Sequence, residues 1–400
     1  MIETLYYRGY QRMLKMASYA MPWREPELLE GENSLSKLPK LIKDQNIESV
    51  LIVTDEGIVA AGLMDNFLNE LKSEGIQFAI YDQTVPNPTI ENVTEAAQLY
   101  HENYCQGIIA FGGGSPIDCA KIAGVRIAKP DKSIQQVKGL LKVLKKLPTM
   151  FIVPTTAGTG AEATLAAVVS NNKTNEKFPI MDHSLIPDFA VLDPLLTKNL
   201  PPHITSTTGM DTLTHAVEAY IGKGNTKNTK NWAIEATQLV FENIYEAYSN
   251  GDNLIARKNM QKAAYLGGKA FTRAYVGYVH AIAHTLGGLY KVPHGLANAI
   301  ILPYVLEYYG ESVHTPLAEL ADIVGIAEEG DTEEEKSDKF IQAIKDLNES
   351  MEIPQKVEGI DNHDIPIMVK RALEEGNPLY PVPKVLFKND IHNLFQIIKA

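Results

Sequence analysis

An α/β domain built on a parallel sheet, followed by an all-helical domain, is the fold class this 400-residue sequence predicts. Three observations predict it. Short apolar runs at 49–55, 77–81 and 107–111 alternate with helical patterns at 57–74 and 89–104. Such runs read as buried parallel strands, and their alternation with helices is that of a doubly wound unit. The triple glycine Gly112-Gly113-Gly114 ends the third run and opens a helix. After Pro201-Pro202 the texture changes to 3.6-residue periodicity, as at 228–249, 253–274 and 337–350, and strand signals fade.

Taken in order, residues 5–20 form an amphipathic helical pattern rich in Tyr and Met, inside an N-terminal helical extension of 1–25. It is expected to pack on its own domain or on a partner subunit. The second helical pattern follows Asn87-Pro88-Thr89, a helix-start signal. Further strand candidates are 149–153, 164–169 and 189–192. The domain boundary falls near 196–204, so the chain divides into 1–198, an α/β domain carrying the extension, and 199–400, an all-helical domain. The acidic stretch 328–335 reads as solvated loop or helix start.

A net charge of −12 argues against nucleic acid or an anionic membrane as partner. Cys105 and Cys119 make no disulfide framework and lack metal-ligand spacing, which fits a reducing cytoplasm. No apolar run is long enough to predict a membrane span, and charges at Glu3, Arg8, Arg12 and Lys15 argue against a signal peptide.

Glycines at 112–114 either form a plain tight turn or let the backbone approach a ligand without Cβ clashes, in which case Ser115 and the following amides would face a phosphate at a helix N-terminus. Asp55 ends the first strand of the unit, where a carboxylate either accepts bonds from a ribose 2′-OH or caps a helix. Pro154-Thr-Thr-Ala-Gly-Thr-Gly160 is a second backbone cradle, or a loop using its threonines for local capping. The densest signal is metal-capable. Asp211 and His215 stand at i and i+4 in a helical segment, as do His280 and His284, and His294 follows in Val292-Pro-His-Gly295. Residues at i and i+4 share a helix face. A mixed carboxylate–imidazole shell suits Fe²⁺, Zn²⁺, Mn²⁺ or Co²⁺, and spacing alone leaves open which four of the five bind.

These segments resemble the iron-containing alcohol dehydrogenases, which have the dehydroquinate synthase-like fold. The resemblance rests on GGGSPIDCAK (112–121), PTTAGTGAE (154–162), GMDTLTHAVEAY (209–220) and HAIAHTLGGLYKVPHGLANAIILP (280–303), and runs from about residue 25 to the C-terminus. It implies a Rossmann-like nucleotide-binding domain, an all-α domain, and an active site in the cleft between them. It implies that Asp211, His215, His280 and His294 hold Fe²⁺ or Zn²⁺, with His284 beside the substrate as a proton relay. Gly113, Gly114, Ser115 and Asp118 match the pyrophosphate loop, and Thr155, Thr156 and Thr159 match dinucleotide contacts. Lys177 matches a ribose contact, Asp55 an acidic position favouring NAD(H) over NADP(H), and Phe271 an aromatic near nicotinamide and substrate. Ala161 and Ala166 depart from a serine and an asparagine found in relatives. The implied activity is hydride transfer between NAD(H) and a small primary alcohol or aldehyde, in a homo-oligomer. The alternatives are a glycerol or other polyol dehydrogenase and, from another class, a non-catalytic nucleotide-binding metal sensor. A lyase or polyol-phosphate enzyme of the same fold needs several cations, and the neighbourhood offers only Lys269, Arg273 and Lys291.

Overall fold

The computed structural model describes residues 2–19, 21 and 23–400. Its elements, in order, are α1 (Ile2–Ser18), β1 (Glu27–Glu30), α2 (Leu38–Asp44), β2 (Ser49–Val53), α3 (Glu56–Ala60), α4 (Asp65–Ser73), β3 (Gln77–Tyr81) and α5 (Ile90–Glu102). Then come β4 (Gly107–Gly112), α6 (Gly114–Ala128), β5 (Gly139–Leu140), β6 (Thr149–Pro154), β7 (Ala166–Asn171), β8 (Glu176–Met181) and β9 (Phe189–Leu192). The remainder is helical: α7 (Pro202–Ile221), α8 (Lys227–Ser249), α9 (Leu254–Ala274), α10 (Tyr278–Tyr290), α11 (His294–Tyr309), α12 (His314–Ile323), α13 (Glu333–Ser350), α14 (Ile365–Gly376) and α15 (Lys388–Ile398).

The chain forms two compact units. One comprises Trp23–Leu200 with Gly251–Gln261. Its sheet runs β1-β9-β6-β4-β2-β3, with every pairing parallel, and a small second sheet runs β5-β8-β7. Strand residues that read as continuous apolar runs sort by alternation onto two faces. Leu51, Val53, Ile108, Ala110 and Ile152 pack with Val93, Ala96, Ile117 and Ile122. Val50, Ile52, Ile109, Phe111, Phe151 and Val153 pack with Leu38, Ile42, Phe67 and Leu71. Both faces are covered, as a parallel sheet requires.

The helical pattern at 57–74 is two helices, α3 and α4, because Gly62 between them takes a left-handed φ of 66°. Strands β1, β5 and β8 escape sequence reading: β1 carries Glu27 and Glu30 at an edge, β5 is only two residues long, and β8 carries Lys177 and Pro179.

The other unit comprises α1, Pro201–Asn250 and Lys262–Ala400, and its elements among the described residues are helices. Helix α1 groups here, whereas the sequence division carried it with the sheet. The reason is polar: Arg8 donates to the carbonyls of Val382 and Pro383 at 2.6 and 2.9 Å, and Gln11 donates to those of Pro378 and Tyr380 at 3.1 and 2.8 Å. The opposite face leaves Ile2, Leu5, Tyr6, Met13 and Met16 exposed. Among the described residues no helix is long and apolar enough to cross a membrane.

Candidate metal and dinucleotide sites

Three helices of the helical unit bring the metal-capable residues together. Helix α7 starts with Pro202 in its first turn, where a missing N–H costs nothing, and carries Asp211 and His215 on one buried face. Helix α10 carries His280 and His284, and the short break at 291–293 turns the chain so that His294 opens α11. Asp211, His215, His280 and His294 each offer a donor atom, all within 4.8 Å of one another. The Nε2 atoms of His215, His280 and His294 lie 3.9, 3.8 and 3.7 Å from Asp211 Oδ1. A tetrahedral shell with bonds of about 2.1 Å has edges of about 3.4 Å, so these donors nearly match one ion. His284 stands outside the set, its ring stacked on His294 at 5.2 Å. Of the five candidates left open by spacing, four thus gather their donor atoms and His284 lies apart from them.

The surroundings prepare the donors. His280 Nδ1 lies 2.6 Å from Glu218 Oε2. A carboxylate can only accept, so the proton sits on Nδ1 and the Nε2 lone pair is free for a metal. Glu218 Oε1 also accepts from the Val279 N–H at 2.9 Å. Gly277 is required beside it, since a Cβ there would lie 2.7 Å from Glu218 Oε1. Burial opposes charge on His280, but Glu218, with Asp211 and Glu375 behind it, outweighs that and raises its pKa above the ordinary value. His284 Nδ1 meets Glu375 Oε1 at 2.7 Å, and the Tyr380 hydroxyl donates to the same oxygen at 2.8 Å. Phe271 stacks on His215 at 4.3 Å and 19°, an apolar wall against the ligand set. Asn298 is fully buried and donates from Nδ2 to Asp211 Oδ1 at 2.6 Å. One carboxylate and three imidazoles, all buried except the partly exposed His294, fit a divalent ion of the Fe²⁺ or Zn²⁺ type.

In the sheet unit two loops lie against each other. Gly112 takes φ 149°, a conformation open to glycine, and its carbonyl accepts from the Thr155 N–H at 3.0 Å. A Cβ on Gly113 would lie 3.2 Å from Thr156 Cγ2, and one on Gly114 only 2.6 Å from Thr159 Cγ2. The glycines therefore serve close packing of the threonine loop as well as exposure of amides at the start of α6. Ser115 Oγ accepts from the Asn87 N–H at 3.2 Å, and Lys177 donates to Asn87 Oδ1 at 2.7 Å, which gathers both residues at one point. Asp118 lies one turn into α6, and burial raises its pKa against the pull of Lys121 and Lys177. Lys121 is wholly buried and donates to the carbonyls of Ala161, Thr164 and Ala166 at 2.6, 2.7 and 3.1 Å. Asp55 caps α3, accepting from the Ile58 N–H at 3.0 Å. Its capping role is thus real and sits at the end of β2.

Sequence reading missed Glu218, Asn298, Glu375 and Tyr380. Glu218 and Asn298 carried a signal, standing three residues after His215 and four after His294 on the same helices. Glu375 and Tyr380 reach His284 from 91 residues and more away and carried none.

Comparison with known proteins agrees with this architecture. The profile described as iron-containing alcohol dehydrogenase matches residues 26–194, and the C-terminal profile of the Fe-containing alcohol dehydrogenase family matches 205–398. The chain belongs to the iron-containing alcohol dehydrogenase family. It is similar to the 1,3-propanediol dehydrogenase of Citrobacter freundii, 38% identical over 351 residues, covering 87% of this chain and 90% of that one. Among solved structures it resembles a 1,3-propanediol oxidoreductase (TM-score 0.89, 36% identity, 94% of this chain and 98% of that). An alcohol dehydrogenase from Oenococcus oeni is equally similar, with TM-score 0.89, 35% identity and the same coverage.

Proposed function

We propose that this chain is a metal-dependent, NAD(H)-linked alcohol dehydrogenase and aldehyde reductase acting on a small primary alcohol and its aldehyde. The observation that carries the reading is the convergence of Asp211, His215, His280 and His294 within 4.8 Å. When bound, the divalent ion supplies Lewis-acid polarisation of a substrate oxygen, and the nicotinamide exchanges the hydride.

The chain's own residues do the rest. Glu218 holds the His280 tautomer that leaves Nε2 as a ligand. Phe271, stacked on His215, keeps one side of the set apolar and excludes water there. Glu375 holds the proton of His284 on Nδ1, which leaves Nε2 to take up or return the proton of the substrate hydroxyl. In the dinucleotide loops, Gly113, Gly114 and Ser115 receive the pyrophosphate, with Thr155, Thr156 and Thr159 lining it and Lys177 and Asp118 nearby. Asp55, at the end of β2, favours a ribose 2′-OH over a 2′-phosphate, hence NAD(H) over NADP(H). A phosphorylated substrate fits poorly, because Lys269 and Arg273 both lie over the Trp232 ring, at 4.3 and 4.8 Å. Cys105 and Cys119 are buried free thiols, which supports a reducing cytoplasm, and the exposed apolar face of α1 supports a homo-oligomer.

The test is a screen of short alcohols, diols, glycerol and their aldehydes with NAD(H) and NADP(H), using protein loaded anaerobically with Fe²⁺ or with Zn²⁺. Expected is turnover of a primary alcohol–aldehyde pair that disappears on chelation and is absent in His280→Ala. Turnover of glycerol alone favours the polyol reading. No turnover with any substrate and either metal favours the sensor, and full activity in metal-stripped protein removes the metal from the mechanism.

A further inference from the structure

Between α1 and the segment after α7 lies a hollow of about 340 Å³, lined by Arg8, Gln11, Arg12, Lys15 and Lys223. Four of these five residues are cations, and none is an acid. Two spend their charge on backbone oxygens: Arg8 on the Val382 and Pro383 carbonyls, and Lys15 on the Lys223 carbonyl at 3.1 Å. Neither the Arg12 guanidinium nor the Lys223 ammonium forms an ion pair with an acid among the described residues. Burial lowers the pKa of Arg8, Lys15 and Lys223, and neighbouring positive charge adds to this: Arg12 on Arg8, Lys230 on Lys15, Arg8 and Arg12 on Lys223. Arg12 and Lys223 are exposed, and in a chain of net charge −12 the hollow gathers four cations with no acid in its lining, an arrangement that an anion would complement.

We propose that this hollow is a binding site for a small, doubly charged oxyanion of the phosphate type, held by Arg12 and Lys223 with Arg8 and Lys15 behind them. An arginine fork and a lysine ammonium are the side chains that recognise such groups. The volume lies at the lower end of small-molecule pockets, roughly 300–1,000 Å³, which suits a phosphate or short phosphate ester rather than a dinucleotide. The site is also tied to chemistry. Gln11 on its wall donates to the Tyr380 carbonyl at 2.8 Å, the Tyr380 hydroxyl donates to Glu375, and Glu375 accepts from His284. An anion that steadies α1 thereby steadies the support of His284, so occupancy is linked to turnover.

The test uses the metal-loaded protein saturated with NAD⁺, so that the glycine loop is already filled. Inorganic phosphate and sulfate are titrated at constant ionic strength against chloride, following thermal stability and heat of binding. Expected is a saturable rise in Tm with either dianion, and apparent affinity weaker by about tenfold or more in Arg12→Gln/Lys223→Gln. Both positions lie outside the metal and dinucleotide sites, so NAD⁺ affinity and turnover in chloride should be unchanged in the variant. A flat response in the unmodified protein, or an equal response in the double variant, overturns the site. Saturable binding that leaves kcat and KM unmoved overturns the linkage to His284.

Discussion

Glu218→Gln isolates what the surroundings of the metal ligands contribute. Glu218 is 4% exposed and accepts two N–H groups, from His280 Nδ1 at 2.6 Å and from the Val279 backbone at 2.9 Å. Glutamine keeps the volume but has one acceptor oxygen. Its amide nitrogen must therefore face one of those donors, and His280 either loses its anchor or changes tautomer. A buried hydrogen bond to a charged group contributes about 1.5–3 kcal/mol. Loss of the outer partner of a metal-bound histidine typically weakens metal binding about 10–100-fold. That range is about 1.4–2.7 kcal/mol, so two independent estimates agree. The assay is competition for Zn²⁺ or Co²⁺ between the protein and a chromophoric chelator, with far-UV circular dichroism as a check on folding. Expected is a Kd higher by about 10–100-fold in a folded variant. Gly277→Ala should act in the same direction by crowding Glu218 Oε1, which a Cβ would approach to 2.7 Å. A folded Glu218→Gln protein with unchanged metal affinity would refute the claim that Glu218 selects the binding tautomer.

Two further outcomes follow from the sheet unit. Gly114→Ala places a Cβ 2.6 Å from Thr159 Cγ2, an overpacking that costs about 1–3 kcal/mol, and should weaken NADH binding measured by nicotinamide fluorescence. Adding Thr159→Ser removes that Cγ2 and should restore most of the loss; no recovery would show that the glycine serves another purpose. Glu162 is buried, and burial pushes its pKa from 4.5 up to about 7. Between those values the folded state keeps a proton that the unfolded chain has lost. Its contribution to stability is therefore fully present below about pH 4.5 and lost as pH rises through 7, a swing on the order of 3 kcal/mol. Urea midpoints from pH 5 to 8 should fall more steeply for the unmodified protein than for Glu162→Gln, and parallel profiles would contradict the assignment.

The fold was legible where local pattern and tertiary role coincide. Strands β2, β3, β4, β6 and β9 are apolar runs because both faces of a parallel sheet are covered, and each was readable from its run. Strand β1 was not, because Glu27–Glu30 is held by pairing with β9 rather than by its own apolar character. Helix α1 was readable as a helix but not as a member of the helical unit. The Arg8 and Gln11 bonds that place it there join residues more than 360 positions apart. Of the site, the i and i+4 pairs were visible because a helix puts them on one face without tertiary help.

His284 shows where that visibility stops. By spacing it is as good a ligand as His280, since the two lie on α10 one turn from each other. What separates them is the acid each Nδ1 meets and where its Nε2 then stands. Glu218 comes from α7, the helix of Asp211 and His215, so orienting His280 and assembling the ligands are one packing event. Glu375 comes from α14, which contributes no ligand, and it shares its oxygen with Tyr380. His284 is thereby held beside the set instead of in it, its ring parallel to His294. Two chemically equal imidazoles thus stand in different places, one within the donor cluster and one beside it, because different helices supply their carboxylates, and the proposed roles of ligand and proton carrier follow that division.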